Sequence, residues 1–197
     1  IITELYAYVV FLLVILTYGM ETGFFRFAGA SERKERVYSS VLLSLLVTSV
    51  LFSGCVNLSS ETIGSWIGYG ENPEYIRWLA WIVGIDAFTS VPFARIRLNN
   101  RALKYALIRI AEVTVNIGLN VFFLFLAPEN SDSELVKAVY NPEIGVGYVL
   151  ISNLAASVLK LLLLSGEIVA GLRGRADLVL LKKILNYSYP LLIAGMA

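Results

Sequence analysis

Arg109, Glu112, Asn116 and Asn120 follow one another at spacings of three and four. On an α-helix that spacing puts all four on one face. Asn153, Ser157, Lys160 and Glu167 repeat the geometry further along, while Asp86 and Ser90, like Thr17 and Glu21, stand one turn apart. Ser40, Ser44 and Thr48 add a row of hydroxyls. The chemistry available is ion pairing and hydrogen bonding along lines, inside stretches that are otherwise apolar. A charge at the centre of a membrane-spanning helix costs about 2.5–3.5 kcal/mol, so it faces a partner, a ligand or water. Lys160 therefore needs an anion, and Asp86 is its obvious partner within the chain.

Two readings of these stripes stand side by side. Stripes that converge would line a hydrated cavity. Stripes that face one another would act as internal glue, with Arg109 and Glu112 as an ion pair within one helix. The hydroxyls of Ser40, Ser44 and Thr48 fit close helix packing. Glu21 and Arg26 lie near a helix end, where long side chains reach the interface.

The elements that must position these groups are transmembrane helices. Of 197 residues, 57% are hydrophobic and 16% charged, whereas a soluble domain carries about 25% charge; mean hydropathy is +0.72. The lone cysteine, Cys55, excludes an internal disulfide, and the absence of histidine excludes a Cys/His metal cluster. No phosphate-binding or dinucleotide-binding glycine loop occurs. The reading therefore names no catalytic residue, metal ligand or cofactor, and no nucleic-acid partner.

Spans are expected at 5–25, 38–56, 76–93, 102–126 and 146–169, with a sixth beginning at 187. Each is too long and too continuously apolar for a barrel strand, which alternates over about 10 residues. Basic loops (Arg26 to Arg36, Arg95 to Lys104, Arg173 to Lys183) alternate with acidic ones (Glu61 to Glu74, Glu129 to Glu143). Under the positive-inside rule the basic loops are cytoplasmic and the start of the chain lies outside. An outer start without a signal peptide implies one helix upstream, and both ends of the sequence read as cut. Leu178, Leu181, Ile184 and Leu185 share a face, so 173–186 is expected as an amphipathic linker on the cytoplasmic surface.

Three stretches, TELYAYVVFLLVILTYGMETGFFRFA, PFARIRLNNRALKYALIRIAEVTVNIGLNVFFLF and KKILNYSYPLLIAGMA, resemble the polysaccharide-biosynthesis (Wzx-type, O-antigen) flippases of the multidrug and oligosaccharidyl-lipid exporter superfamily. The resemblance implies an all-α, MATE-like transporter with two six-helix lobes around a central cleft. Residues 1–172 would be helices two to six of the N-terminal lobe, and 187–197 the truncated start of helix seven. It further implies transport of an undecaprenyl-pyrophosphate-linked sugar repeat unit across the bacterial inner membrane, from the cytoplasmic to the periplasmic leaflet. In that setting Lys160 and Arg109 would hold the pyrophosphate, and Asn116, Asn120, Asn153 and Ser157 would bond sugar hydroxyls. Asp86, Glu112 or Glu21 would take a coupling proton or sodium ion.

A drug/cation antiporter of the same superfamily is the nearest alternative, and Arg109 and Lys160 weigh against it. A membrane-embedded glycan enzyme would call for larger outer loops carrying catalytic groups. A structural subunit would have little use for ionisable stripes in several spans.

Overall fold

Lipid offers no partner for backbone N–H and C=O groups, so a continuously apolar chain satisfies them within helices. The computed structural model describes residues 2–29, 31–130 and 133–195, and among them there is no strand. Five stretches are long and apolar enough to cross a membrane: Thr3–Gly29, Lys34–Leu58, Pro73–Leu98, Ala102–Glu129 and Pro142–Leu163. The chain is an all-α, membrane-embedded protein.

The first span is two helices, α1 (Ile2–Thr17) and α2 (Met20–Gly29). The break falls at Tyr18 (φ 34°) and Gly19 (φ 68°), left-handed backbone that glycine adopts freely and tyrosine does not. Tyr18 is held there by a 2.7 Å hydrogen bond between its hydroxyl and Ser44 Oγ. Next come α3 (Lys34–Leu58), the short α4 (Ser60–Trp66), α5 (Pro73–Leu98) and α6 (Ala102–Val121). A π-helical turn, Phe122–Leu126, carries α6 into α7 (Ala127–Glu129), and α8 (Glu134–Val139) follows. A 3-10 turn, Pro142–Gly147, leads into α9 (Tyr148–Leu163) and α10 (Ser165–Leu172).

The last helix, α11 (Leu178–Gly195), runs without interruption through 187 and Pro190. This differs from the expected division into a surface linker at 173–186 and a separate helix from 187. Asp177 starts the helix, accepting from the backbone N–H groups of Val179 and Leu180 at 3.0 and 3.1 Å. The amphipathic face then packs on α2 and α3 instead of lying free. Residues 196–197 of the expected helix lie outside the described residues.

α5 is the hub, packed against α3, α9, α1, α2 and α4. Its buried side chains join three apolar clusters, of which the two largest follow one another along its length. Tyr75, Leu79, Ile82 and Val83 meet Leu5, Val9 and Leu150; Phe88, Val91 and Ala94 meet Phe24, Tyr38, Leu42 and Ile184. α6 is the barest of the spans and rests mainly on α9. The basic turns gather at one end of the bundle. There Arg95 reaches Glu35, Arg97 reaches Glu21, and the Asp177 N–H reaches Ser40. At the opposite end Tyr75 donates to the Ile144 carbonyl at 3.1 Å and the Asn141 N–H donates to the Tyr148 hydroxyl at 2.6 Å.

A Cβ at Gly84 would collide with Ser53 Oγ, at the point where Ser53 donates to the Ala80 carbonyl at 3.1 Å. This glycine fixes how closely α3 and α5 approach. Gly84→Leu is expected to destabilise the protein by about 1–3 kcal/mol, as overpacking does. Gly118→Ala, with nothing within 4 Å of the new Cβ, is expected to be neutral or stabilising by up to about 1 kcal/mol. Unfolding midpoints in detergent check both.

Candidate functional site

Lys160 is at the centre of the site. Its ammonium is nearly sealed from the surface (side chain 3% exposed) and donates to Asp86 Oδ1 and Glu112 Oε1, each at 2.7 Å. Asp86 comes from the middle of α5, Glu112 from α6 and Lys160 from α9, so one cation ties three spans together. Ser157, one turn before Lys160, donates to the same Asp86 oxygen at 2.7 Å. Glu112 passes the chain outward to Arg109 at 2.9 Å, and that guanidinium lies 4.3 Å from the centre of the Phe93 ring. Asp86, Lys160, Glu112 and Arg109 thus form a continuous, charge-balanced chain.

A cavity of about 300 Å³ adjoins this chain. Thr17 and Glu21 line it from the broken first span, Asp86, Ser90 and Arg97 from α5, and Tyr105 and Arg109 from α6. It runs from Asp86, about 18 Å along α5 from Leu98 at 1.5 Å per residue, to an ion pair between Glu21 and Arg97 at the basic end. Pro92 lies beside it on α5 and withholds the N–H that the carbonyl one turn earlier would receive. Nearby hydroxyls bond back to the same helix: Thr89 to the Ile85 carbonyl at 2.8 Å, Ser90 to that of Ala87 at 2.7 Å.

The sequence-derived candidates divide. Lys160, Arg109, Asp86 and Glu21 line the cavity, and Glu112 and Ser157 are bound to its charged wall. Asn116, Asn120 and Asn153 are not in its lining, a correction to their expected place beside the other four. Asn120 Nδ2 donates to Asn116 Oδ1 at 2.7 Å, and Asn153 Nδ2 donates to the Tyr6 hydroxyl at 3.2 Å. Both helices carry these amides further towards the acidic end, past the point where the cavity closes. Nor is the cavity simply cationic, since each cation in the wall is matched by a carboxylate.

Arg97 and Tyr105 are among the cavity residues not singled out from sequence. Each had a signal. Asp86, Ser90, Phe93 and Arg97 step by four, three and four, and Tyr105 precedes Arg109 by one turn. The first of these stripes continues into what reads as a loop.

A second cluster closes the basic end. The buried Glu167 of α10 accepts from Lys104 at 2.8 Å, Arg95 at 3.1 Å and Arg101 at 3.4 Å. Arg95 also grips Glu35 of α3 through both carboxylate oxygens, at 2.9 and 2.8 Å, and stacks 4.4 Å over the Tyr38 ring. Among the described residues no cluster of His, Cys, Asp and Glu could hold a metal ion.

No protein-family model matches the chain, and comparisons with curated proteins and with solved structures return no significant match.

Removing the shared cation should be costly, because it leaves two largely buried carboxylates without their counter-charge. Lys160→Met is expected to destabilise by about 3–5 kcal/mol. Adding Asp86→Asn and Glu112→Gln should recover part of that loss. Thermal or denaturant unfolding of the single and triple variants in detergent measures the coupling.

Proposed function

We propose that this chain is the N-terminal lobe of a MATE-like exporter in a bacterial inner membrane, with its basic end in the cytoplasm. Its cargo is a polyprenyl-pyrophosphate-linked oligosaccharide repeat unit, moved from the cytoplasmic to the periplasmic leaflet for surface-polysaccharide synthesis. The observation that carries this reading is the pair of arginines in the cavity. The side chains of Arg97 and Arg109 are 40% and 46% exposed, against 3% for Lys160.

The physical task is to hold a charged, hydrated head group in a slot that excludes lipid while the polyprenyl tail stays in the bilayer. Arg97 and Arg109 each have one carboxylate partner and a half-exposed guanidinium with donors to spare. A pyrophosphate entering from the basic end would exchange onto them by charge-assisted, bidentate hydrogen bonds. Thr17, Ser90 and Tyr105 would meet the first sugar's hydroxyls. Lys160 then has a different part from the one its position in the sequence suggested. It neutralises Asp86 and Glu112 and holds them in place, so the anion is met by the arginines in front of it. Displacing Glu21 from Arg97 frees a carboxylate, and a proton or sodium ion taken up there would couple to cargo binding. Rocking against a second lobe would then expose the cavity on the other side.

The one-for-one matching of cations by carboxylates also suits the second reading, a cation/drug antiporter in which Asp86 and Glu21 bind the cargo. The two are separated in a strain lacking the parent gene and complemented with variants. Arg97→Ala and Arg109→Ala should each lower surface glycan by about tenfold or more, since a lost hydrogen bond to a charged group is worth about 1.5–3 kcal/mol. Lipid-linked repeat units should accumulate at the same time. Normal glycan with raised drug sensitivity would instead establish the antiporter.

A further inference from the structure

The cations at the basic end fall into two populations. Arg95, Arg97, Arg101 and Lys104 are all engaged by carboxylates. Arg36 on α3 and Arg175 in the turn before α11 belong to the other population with Arg33, Lys34 and Arg173: all are exposed, and none of their side chains has an ion-pair or hydrogen-bond partner among the described residues. Arg36 and Arg175 both line a cavity of about 440 Å³, together with Ala176, Asp177 and the first residues of α11.

Several polar groups of this lining are already used. Ser40 Oγ donates to the Arg36 carbonyl at 2.8 Å and accepts from the Asp177 N–H at 2.8 Å, tying the two walls together. Asp177 Oδ1 is occupied by the first amides of α11. The cations that remain to bind a ligand are the two guanidiniums, with Asp177 Oδ2 in the same lining.

Directly adjoining, and sharing Asp177 and Leu178, is a second cavity of about 250 Å³ between α3 and α11. Leu43, Val47, Leu178 and Leu181 make it apolar. The hydroxyls on its wall are spent: Ser44 on Tyr18, and Thr48 on the Ser44 carbonyl. Leu43 and Val47 lie roughly 10 and 16 Å along α3 from Arg36, at 1.5 Å per residue. The groove therefore runs from the end of the span into the hydrocarbon depth, and α3 continues bare at Val50 and Leu51.

We infer that Arg36, Arg175 and the α3–α11 groove form a binding site for an anionic glycerophospholipid, with its phosphate between the guanidiniums and one acyl chain along Leu43 and Val47. Charge complementarity selects this occupant. Two unpaired guanidiniums at the membrane–water boundary call for a phosphate, and the apolar slot beneath them calls for an alkyl chain. A zwitterionic lipid would bring its own cation into a site already lined by two. The site lies apart from the Lys160 cavity and uses none of its residues, so it stands whether or not the transport reading does. A lipid there would cement α11 to α3, across which few polar contacts run besides that of Ser40 with Asp177.

The test uses the full-length protein, delipidated in detergent, titrated with phosphatidylglycerol or phosphatidylcholine and read by intact-complex mass spectrometry. Phosphatidylglycerol should be retained at least tenfold more tightly. Arg36→Ala/Arg175→Ala should remove that preference. Leu43→Trp/Val47→Trp, which fills the groove and leaves both arginines, should weaken retention as well. Soluble glycerol phosphate should not compete. A photoreactive phosphatidylglycerol should label the wild-type peptide containing Leu43 and Val47, a readout independent of how the variants fold. Equal retention of both lipids, labelling elsewhere, or preferential capture of a polyprenyl phosphate would each overturn the inference.

Discussion

A single ammonium group in the middle of the bundle sets the terms for much of what surrounds it. Lys160 is out of reach of bulk water, and its charge is tolerable only because α5 and α6 each deliver a carboxylate to it at 2.7 Å. α6 has little else to hold it, being the barest span and resting mainly on α9. Lipid tails are as apolar as leucine and supply no hydrophobic drive between helices, so polar contacts and close packing must do that work. The ion cluster makes α6 part of the bundle and at the same time builds one wall of the cavity.

The two charged clusters divide the labour along the bundle axis. At mid-depth, Asp86, Lys160, Glu112 and Arg109 join α5, α6 and α9. At the basic end, Glu167 gathers Arg95, Arg101 and Lys104, and Arg95 continues to Glu35, joining α10, α5, α6 and α3. Between them lies the cavity, entered past Glu21 and Arg97. Helical regularity is interrupted next to its lining: the left-handed turn at Tyr18 and Gly19 stands between Thr17 and Glu21, and Pro92 stands between Ser90 and Phe93 of α5. Backbone irregularity at membrane depth is tolerated where it borders a polar cavity or is buried in protein.

Some of the site could be read from spacing. The stripe from Arg109 to Asn120, the match of Lys160 with Asp86, and the pairing of Thr17 with Glu21 are helical periodicities, and periodicity survives without knowledge of neighbours. Asn116, Asn120 and Asn153 share those stripes yet lie outside the cavity, because periodicity gives the face of a helix and not the depth at which a cavity ends. Arg97 was hidden in a basic turn that reads as loop, whereas α5 extends to Leu98; Tyr105 stood inside the expected fourth span without a charge to mark it, and both line the cavity.

The sequence by itself determined that the chain is helical, that its long apolar runs are membrane spans, and that basic and acidic turns alternate between two ends. Those properties follow from the energetics of single segments in lipid: backbone satisfaction, hydrophobic length and the placing of charge. Tertiary structure alone decided that Lys160 answers to two carboxylates and not one, and that the first span breaks at Tyr18. It alone decided that α11 runs through residue 187, and that Arg36 and Arg175 line one cavity while Arg95, Arg97, Arg101 and Lys104 are taken up by carboxylates. Each of these depends on which residues from distant parts of the chain arrive within hydrogen-bonding distance. Charges in a low-dielectric interior are governed by those few ångströms, which no local pattern encodes.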